Sequence, residues 1–354
     1  MRIAKSVRKL EAYVPGEQPK SRSVVKLNTN ENAYPPSPEC AKALASIPLE
    51  ALRKYPDPEF SALRKAIARR FKTAPERVFV GNGSDEILSL AARAFVEDGE
   101  SIASLDPSYS LYKTLAAIRN VPWSGLAAER TAAESGAALA KSLVGTSVSL
   151  FLWTNPNAPT GAFAEPSAIE AFAKRFRGVT LIDEAYADFA RADSMPFAVS
   201  AENRSAIVMR TFSKSYSLAG LRVGYCVGPE DLIGALYKVK DSYNVDAVAQ
   251  AVALAAFNDR AYHRKTVEAI KKTRAAFSAE LVRRGWDVIP SESNFVFAKP
   301  PAPMRAAELF RALRERNIFT RYFPGPLTGD RLRITIGTDA QMAKLLAALD
   351  SMRG

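Results

Sequence analysis

The stretch Ala206-Ile207-Val208-Met209-Arg210-Thr211-Phe212-Ser213-Lys214-Ser215-Tyr216-Ser217-Leu218-Ala219-Gly220-Leu221-Arg222 decides how this chain is read. An apolar run, Ala206 to Met209, leads into a hydroxyl-rich turn that carries one lysine, and a second apolar run, Val223 to Val227, follows Arg222. Continuously apolar runs this short read as strands buried on both faces of a sheet. A lysine amine acts as a nucleophile only where it is uncharged and held against an electrophile, typically an aldehyde cofactor. Thr211, Ser213, Ser215, Ser217 and Arg222 around it are groups that hold a phosphate. A Schiff-base lysine inside a phosphate cup points to pyridoxal phosphate. The motif alone is not decisive, because most Thr-x-Ser-Lys stretches are solvated loops.

The same pattern extends outward. Apolar runs recur at Val78–Val80, Ile102–Leu105, Val148–Trp153, Val179–Ile182 and Ile207–Met209, with helical patterns between them at Asp85–Phe95, Tyr109–Ile118 and Pro166–Phe176. This alternation predicts an α/β domain with a mostly parallel wound sheet over residues 41–250. Pro15, Pro19, Pro35, Pro36 and Pro38 forbid long helices before it, so residues 1–40 read as an N-terminal arm. Beyond it an amphipathic helix is predicted over Tyr262–Arg284, stopped by Gly285. Then come Val288-Ile289, Phe295–Phe297 and Arg331–Ile336, with helices near Arg305–Glu315 and Ala340–Met352. These predict a smaller α+β domain over residues 251–354, with the arm packed beside it.

Composition narrows the function. The chain has 354 residues, more than one typical domain, and 49 basic against 37 acidic side chains give a formal charge of +12. Such a balance suits phosphorylated ligands, acidic surfaces or nucleic acid. The cations are scattered, however: Arg64, Lys65, Arg69, Arg70 and Lys72 fall on one predicted helix and read as a solvated face, so nucleic acid is not expected. Cys40 and Cys226, the only cysteines, build neither a disulfide framework nor a cysteine metal site, which fits a reducing cytosol. The single histidine, His263, is expected on a helix surface; a Ser-His-Asp triad or a multi-histidine metal centre is hard to assemble from it. With no signal-peptide core and no apolar stretch of bilayer length, a cytoplasmic protein off the membrane is expected.

In open α/β sheets, ligands collect where strands end and helices begin. Val78–Val80 runs into Gly81-Asn82-Gly83-Ser84-Asp85-Glu86, where glycines let backbone approach an anion and helix-start amides bind it. Val148–Trp153 ends in Asn155-Pro156-Asn157-Ala158-Pro159-Thr160-Gly161, and Val179–Ile182 ends in Asp183-Glu184-Ala185-Tyr186. A carboxylate at the end of a buried strand is costly unless paired. Asp183 therefore caps a helix or meets a lysine, or else it pairs with a protonated pyridine nitrogen and makes a cofactor ring an electron sink. Tyr186, three residues on, suits the ring's phenolic oxygen, and Lys214 lies one βα unit further. The combination is far more specific than any part.

On these motifs the chain resembles the fold-type-I pyridoxal-phosphate aminotransferases, and within them the histidinol-phosphate aminotransferase branch. Further matching stretches are Leu10-Glu11-Ala12-Tyr13-Val14-Pro15-Gly16, Leu27-Asn28-Thr29-Asn30-Glu31-Asn32, Arg53-Lys54-Tyr55-Pro56-Asp57 and Leu332-Arg333-Ile334-Thr335-Ile336-Gly337, so the resemblance covers essentially the whole chain. It implies that Lys214 is the catalytic residue, joined to the cofactor and moving a proton at the substrate's α-carbon. It implies that Asp183 holds the pyridinium, that Tyr186 bonds the phenolate oxygen, and that Tyr109 stacks on the ring. The turn Gly83-Ser84-Asp85, with Thr211, Ser213 and Arg222, would cradle the phosphate. Tyr55 would reach the cofactor phosphate of a partner subunit, which implies a homodimer with shared sites. One position departs from the family, which usually carries Asn immediately before Pro-Thr-Gly; here Ala158 stands there. Either Asn157 reaches over or Tyr186 makes that contact alone.

Arg333 matches the C-terminal arginine that these enzymes aim at a substrate anion, and its planar fork suits carboxylate or phosphate. Arg321 reads as a second anion ligand, with a surface arginine as the plain alternative. These two, with Tyr13 from the arm and Asn30, fit a dianionic phosphate better than a lone carboxylate. The resemblance thus favours histidinol phosphate, with 2-oxoglutarate and glutamate as the second pair. Aromatic amino-acid aminotransferases and a threonine-phosphate decarboxylase share the branch motifs and stay open as alternatives. A non-catalytic cofactor-binding regulator would carry a DNA-binding extension, and none of helix-turn-helix size is seen before the arm. A P-loop enzyme would need the Gly-Lys-Ser/Thr that Gly81–Glu86 lacks.

Overall fold

The computed structural model describes residues 2–3, 5–8, 10, 16–19 and 23–352. Its strands, in chain order, are Val25–Lys26 (β1), Val78–Gly81 (β2), Ser101–Asp106 (β3), Trp123–Ala127 (β4), Val148–Thr154 (β5), Val179–Asp183 (β6), Ala206–Thr211 (β7), Gly224–Val227 (β8), Asp287–Ile289 (β9), Phe295–Lys299 (β10), Ile318–Phe319 (β11), Arg321–Tyr322 (β12) and Leu332–Thr335 (β13). A seven-stranded sheet has the order β2-β8-β7-β6-β5-β3-β4. Neighbours from β7 across to β4 pair parallel, and β8 runs antiparallel to both β7 and β2. This is the mostly parallel wound sheet that the alternation predicts. Every residue of β2, β7 and β8 is buried, which is why their sequences carry no period-two polarity. Along β5, Leu150 and Leu152 face one apolar cluster while Phe151 and Trp153 face the other. The edge strand β4, Trp-Ser-Gly-Leu-Ala, is only partly covered and has no apolar run, so pattern reading passes over it.

A four-stranded antiparallel sheet, β12-β13-β10-β9, forms a separate core with the helices Arg260–Arg283, Ala306–Glu315 and Asp339–Ser351. The long helix is capped by Asp259 and ends ahead of Gly285, whose φ of +76° only glycine adopts without strain. The arm packs beside this unit: β1 pairs parallel with β11, and Thr335 donates its amide to Leu27 O at 3.0 Å. That pairing carries Asn28, Thr29 and Asn30 between the two sheets. The helix Ala247–Asn258 runs across position 250 and packs its buried face into the large-sheet core.

Two surface expectations fail. Arg64 donates to the carbonyls of Pro75 and Val78 and lies over the Tyr237 ring at 4.9 Å. Arg70 donates to the Tyr216 hydroxyl at 2.8 Å and lies over Phe257. Both run apolar stems along the core while their heads find carbonyl, hydroxyl or aromatic partners, which helical spacing of charges does not reveal. His263 is also inside: it stacks on Tyr216 at 4.2 Å, and its Nε2 lies 3.5 Å from Asp188.

His263 belongs to a buried ionic cluster under the Lys214 turn. Arg210, on β7, reaches Glu184 at 2.8 Å, Asp193 at 2.9 Å and Asp188 at 3.2 Å, and Ser215 donates its hydroxyl to Asp188. Burial pushes the Glu184 carboxyl up to about 7 despite Arg210. Burial also works against an ionised Asp188, but His263 and Arg210 outweigh it and hold that carboxyl well below the usual range. Removing the Arg210 guanidinium strands Glu184 and leaves Asp188 with His263 alone. Arg210→Met is expected to lower the unfolding free energy by about 3–5 kcal/mol, read from urea denaturation at neutral pH; a loss below about 1 kcal/mol would show that the cluster is solvated rather than buried.

Candidate active site

The ends of β6 and β7, the start of the helix Gly83–Ala94 and the face of β12 and β13 enclose a cavity of about 280 Å³. Asn30, Ser84, Asp85, Tyr109, Asp183, Tyr186, Thr211, Ser213, Lys214, Arg222, Arg321 and Arg333 all line it. Residues predicted from separate stretches thus meet in one place. A second cavity, about 560 Å³, adjoins it and shares Tyr109, Ala158, Arg321 and Arg333.

Lys214 projects from the turn after β7, and its Nζ donates to Thr29 O at 3.2 Å. The turn is pinned from the arm, where Asn32 Nδ2 donates to the carbonyls of Lys214 and Ser215 at 3.0 and 3.1 Å. Beside it, Thr211 Oγ1 accepts from Ser213 N at 3.1 Å and lies 3.0 Å from Ser213 Oγ. Arg222 crosses the mouth of this cup and donates to Asp85 Oδ2 at 3.1 Å. Two glycines make that approach possible. A Cβ on Gly83, which has φ +79°, would sit 2.7 Å from Arg222 Nη2, and one on Gly224 would sit 2.8 Å from Ser84 N. Ser84 and Asp85 lie in the first helical turn, so their amides have no carbonyl of their own helix to meet. Hydroxyls, guanidinium and helix-start amides therefore converge on one anion-sized space.

Asp183 ends β6, four per cent exposed. Its Oδ2 accepts from the Tyr112 hydroxyl at 2.7 Å and its Oδ1 from Ala185 N at 3.1 Å. Burial pushes its carboxyl up to about 6, against the pull of those two hydrogen bonds and of Lys214. Tyr186 OH accepts from Asn30 Nδ2 at 3.0 Å, while Asn30 Oδ1 accepts from Thr335 Oγ1 at 3.0 Å. Asn30, at φ +56°, thus clamps Tyr186 to the small sheet. Tyr109 stands over the cavity with its hydroxyl 3.3 Å from Asp85 Oδ1 and its ring edge-on to Tyr112.

Arg321 and Arg333 are direct cross-strand partners on β12 and β13, and both lie over the Phe323 ring, at 5.3 and 5.1 Å. Arg333 also donates to Asn28 O at 2.9 Å. Like charges placed opposite one another across a ladder are destabilising unless an anion joins them. Arg321 is a cavity wall, not a surface arginine.

Some expected residues lie elsewhere. Gly83 sits beneath Arg222 and is not among the lining residues. Asn157 is buried, but its amide nitrogen donates to Pro107 O and Thr160 Oγ1, both at 3.0 Å, and its oxygen accepts from Ser108; Ala158 lines the cavity instead. Tyr55 is 79% exposed and stacks on Tyr243 at 4.3 Å. Tyr13 lies outside the described residues. Sequence reading missed Tyr112 and Thr154, which support Asp183 from behind, and the Thr29 carbonyl. Tyr112 lies in the first turn of the helix Leu111–Arg119, where its apolar neighbours make it read as core. Among the described residues, no group of His, Cys, Asp and Glu is arranged to hold a metal ion.

The sequence model of the family described as aminotransferase class I and II matches residues 22–349. The chain belongs to the class I and II aminotransferases. It is 43% identical to a histidinol-phosphate aminotransferase of Syntrophotalea carbinolica, with 98% of each chain covered. Identity to the enzyme of that name from Geotalea daltonii is 42%, with 99% of each covered. Among solved structures it superposes on a histidinol-phosphate aminotransferase from Sinorhizobium meliloti, in complex with pyridoxal-5'-phosphate, at a TM-score of 0.86 and 26% identity, covering 98% of this chain and 96% of that one. An L-threonine-O-3-phosphate decarboxylase from Porphyromonas gingivalis shares the fold, at a TM-score of 0.80 and 21% identity, covering 93% of this chain and 99% of that one.

Burial raises the Asp183 carboxyl of this aminotransferase from an ordinary 3.8 up to about 6. Between those values the folded state binds more protons than the unfolded one, so Asp183 makes stability fall as pH rises from about 4 to about 6. Asp183→Asn removes that contribution. Relative to the variant, the wild type is expected to lose up to about 3 kcal/mol of unfolding free energy between pH 4 and pH 7. Parallel pH profiles of the two proteins in urea denaturation would refute this.

Proposed function

We propose that this aminotransferase uses pyridoxal phosphate to move an amino group from histidinol phosphate to 2-oxoglutarate, giving imidazole-acetol phosphate and glutamate. The observation that carries the cofactor is a lysine amine and a buried carboxylate facing one cavity whose far wall is an anion cup. The residues fit the group. The cup needs glycine at positions 83 and 224, and a buried carboxylate raised to about 6 is a site made for a cation. When bound, the cofactor supplies an aldehyde for an amine and an electron-withdrawing ring. Thr211, Ser213, Arg222 and the helix-start amides of Ser84 and Asp85 would hold its phosphate, and Tyr109 would cover the ring. Asp183 keeps a proton on the ring nitrogen, because an ionised carboxylate in that dry pocket is stable only opposite a cation. The Tyr186 hydroxyl, held by Asn30, would hydrogen-bond the ring's phenolic oxygen. Lys214, as a free amine, would take the proton from the substrate's α-carbon and return it.

The substrate reading rests on the Arg321–Arg333 pair and on relatives of about 40% identity across the full chain, which carry the histidinol-phosphate aminotransferase name. Two forks on one cross-strand rung match a dianionic phosphate more closely than one carboxylate. The larger adjoining cavity leaves room for the imidazole end. The proposal includes a cytoplasmic homodimer. Leu49, Leu52 and Tyr55 are strongly exposed on one short segment, which suits burial against a second copy carrying Tyr55 toward its neighbour's site. Cys40 and Cys226 are unpaired thiols, and no helix among the described residues is long and apolar enough to cross a membrane.

The purified protein is expected to be yellow and to bleach on addition of glutamate. Lys214→Ala is expected to lose transamination by at least about a thousandfold; wild-type turnover in that variant would end the proposal. Half-reactions with histidinol phosphate, phenylalanine, tyrosine, glutamate and threonine phosphate, followed by the cofactor spectrum, test the substrate. Histidinol phosphate is expected to react best among the amino donors other than glutamate. Arg321→Leu should raise its KM by about 10–100-fold with little effect on phenylalanine. A clear preference for phenylalanine would overturn the substrate assignment and leave the aminotransferase reading standing.

A further inference from the structure

Behind Asp183, a row of side-chain oxygens leads away from the cavity. Asp183 Oδ2 lies 2.7 Å from the Tyr112 hydroxyl, which lies 2.6 Å from Thr154 Oγ1. Thr154 Oγ1 is 3.1 Å from Ser108 Oγ, which is 3.1 Å from Asn157 Oδ1. Asp183, Tyr112, Thr154 and Asn157 are each less than a twentieth exposed, and Ser108 is half-buried on the wall of the larger cavity. Both ends of the row are acceptors. The carboxylate ends it on one side. On the other, the Asn157 amide is oriented by its nitrogen's bond to Pro107 O, a group that only accepts.

The proton count makes this row unusual. It has four oxygen–oxygen contacts but only three hydroxyl protons, those of Tyr112, Thr154 and Ser108. With Asp183 ionised, Tyr112 donates to the carboxylate and Thr154 donates to Tyr112. Ser108 then serves either Thr154 or Asn157, and one contact is left without a proton. With Asp183 protonated, every contact fills in one direction, ending on Asn157. The amide oxygen and the carboxylate therefore compete for the direction of the same hydroxyl protons.

Resting on the reading of Asp183 as partner of the cofactor's ring nitrogen, we propose that Tyr112 is a positioning residue: its hydroxyl proton, steered through Thr154 and Ser108 by Asn157, sets how strongly Asp183 holds the proton on that nitrogen. A hydrogen bond to a charged acceptor in a dry site is stronger than a neutral one, so the Tyr112 donor favours the ionised carboxylate. An ionised Asp183 in turn favours a protonated ring nitrogen. The other charged groups facing Asp183 are Asp85, on the helix Gly83–Ala94, and Lys214, in the turn after β7. Both stay in place in the variants below.

Each link has a sign. Tyr112→Phe removes the donor and drives the ring nitrogen toward its neutral form. Thr154→Val leaves Tyr112 nothing to donate to except Asp183, and so acts in the opposite direction. Ser108→Ala leaves Thr154 nothing to donate to except Tyr112, and acts in that same opposite direction to a smaller extent. A purely structural role for these side chains has no reason to reverse sign between Tyr112 and the two residues behind it.

The test uses holoenzyme loaded with pyridoxal phosphate isotopically labelled at the ring nitrogen, whose NMR shift is followed against pH while absorbance reports occupancy. Tyr112→Phe is expected to move the nitrogen's protonation equilibrium about tenfold toward the neutral form with cofactor still bound. Thr154→Val and Ser108→Ala should both move it the other way, Ser108→Ala less. An unchanged profile in occupied Tyr112→Phe, or displacements of one sign in all three variants, overturns the inference. Where Tyr112→Phe does not fold, a shift of the other two toward the protonated form supports it and a shift toward the neutral form overturns it. Asp183→Asn separates the levels. A ring nitrogen indifferent to that change removes the Asp183 reading and this inference together, whereas one that responds to Asp183→Asn but not to the row removes the inference alone.

Discussion

A carboxylate at the closed end of a parallel sheet is the constraint on which this molecule turns. Asp183 is buried beneath a cavity, and nothing in the apolar layers around β6 compensates its charge. Its hydrogen bonds come from Tyr112 and the Ala185 amide, and these do not cancel the cost of burial, since the carboxyl stays raised to about 6. The site therefore holds a standing demand for a cation, which a protonated heterocycle meets without adding a flexible side chain. The adjacent charges follow the same logic. Glu184, the next residue, is buried as well and its carboxyl is raised to about 7, but Arg210 lies 2.8 Å from it. One neighbour has a fixed cation of the protein beside it, and the other faces the cavity.

Around that carboxylate, three parts of the chain close the cavity. The large sheet brings Asp183, Thr211 and Lys214 to its carboxyl edge, where neighbouring strand ends lie side by side. The helix at Gly83 arrives from the antiparallel corner, and the missing side chains at Gly83 and Gly224 let it approach. The arm, through β1 and β11, then locks the small sheet against both. Asn30 joins Tyr186 to Thr335, and Thr29 offers its carbonyl to the Lys214 amine. The arginine pair sits on β12 and β13, so the two guanidinium forks of the cavity belong to the small sheet while Asp183, Thr211 and Lys214 belong to the large one. A relative movement of the two would change the distance between the Lys214 amine and the arginines, which ties the cavity's shape to the arm's hydrogen bonds.

Much of this was legible in the residues. Buried strands of a parallel sheet announce themselves as short apolar runs, and six of the seven large-sheet strands were located this way, while β4 escaped because an edge strand need not be apolar. The candidate site was legible where a residue type carries its own chemistry: a lone lysine among hydroxyls, a carboxylate after an apolar strand, glycines opening a helix. Tyr112 was not, because a tyrosine within a helix reads as core until its hydroxyl is seen to meet a carboxylate. His263 and Arg70 failed for the converse reason. Their sequence neighbours are polar, but each is stacked on aromatic groups from distant segments, a fact of tertiary packing that no helical period encodes.

By itself, then, the sequence determined the sheet type, the family and the identities of most of the polar groups that line the cavity, because burial patterns and reactive side chains are local properties. Tertiary structure decided how those groups are used. It turned Asn157 away from the cavity and into a row ending at Asp183, put Arg321 and Arg333 on one rung, and spent Asn30 on holding Tyr186. The physical reason is common to all three. A hydrogen bond or a charge contact depends on ångström-scale placement of partners up to 305 residues apart, and only the folded chain supplies that placement.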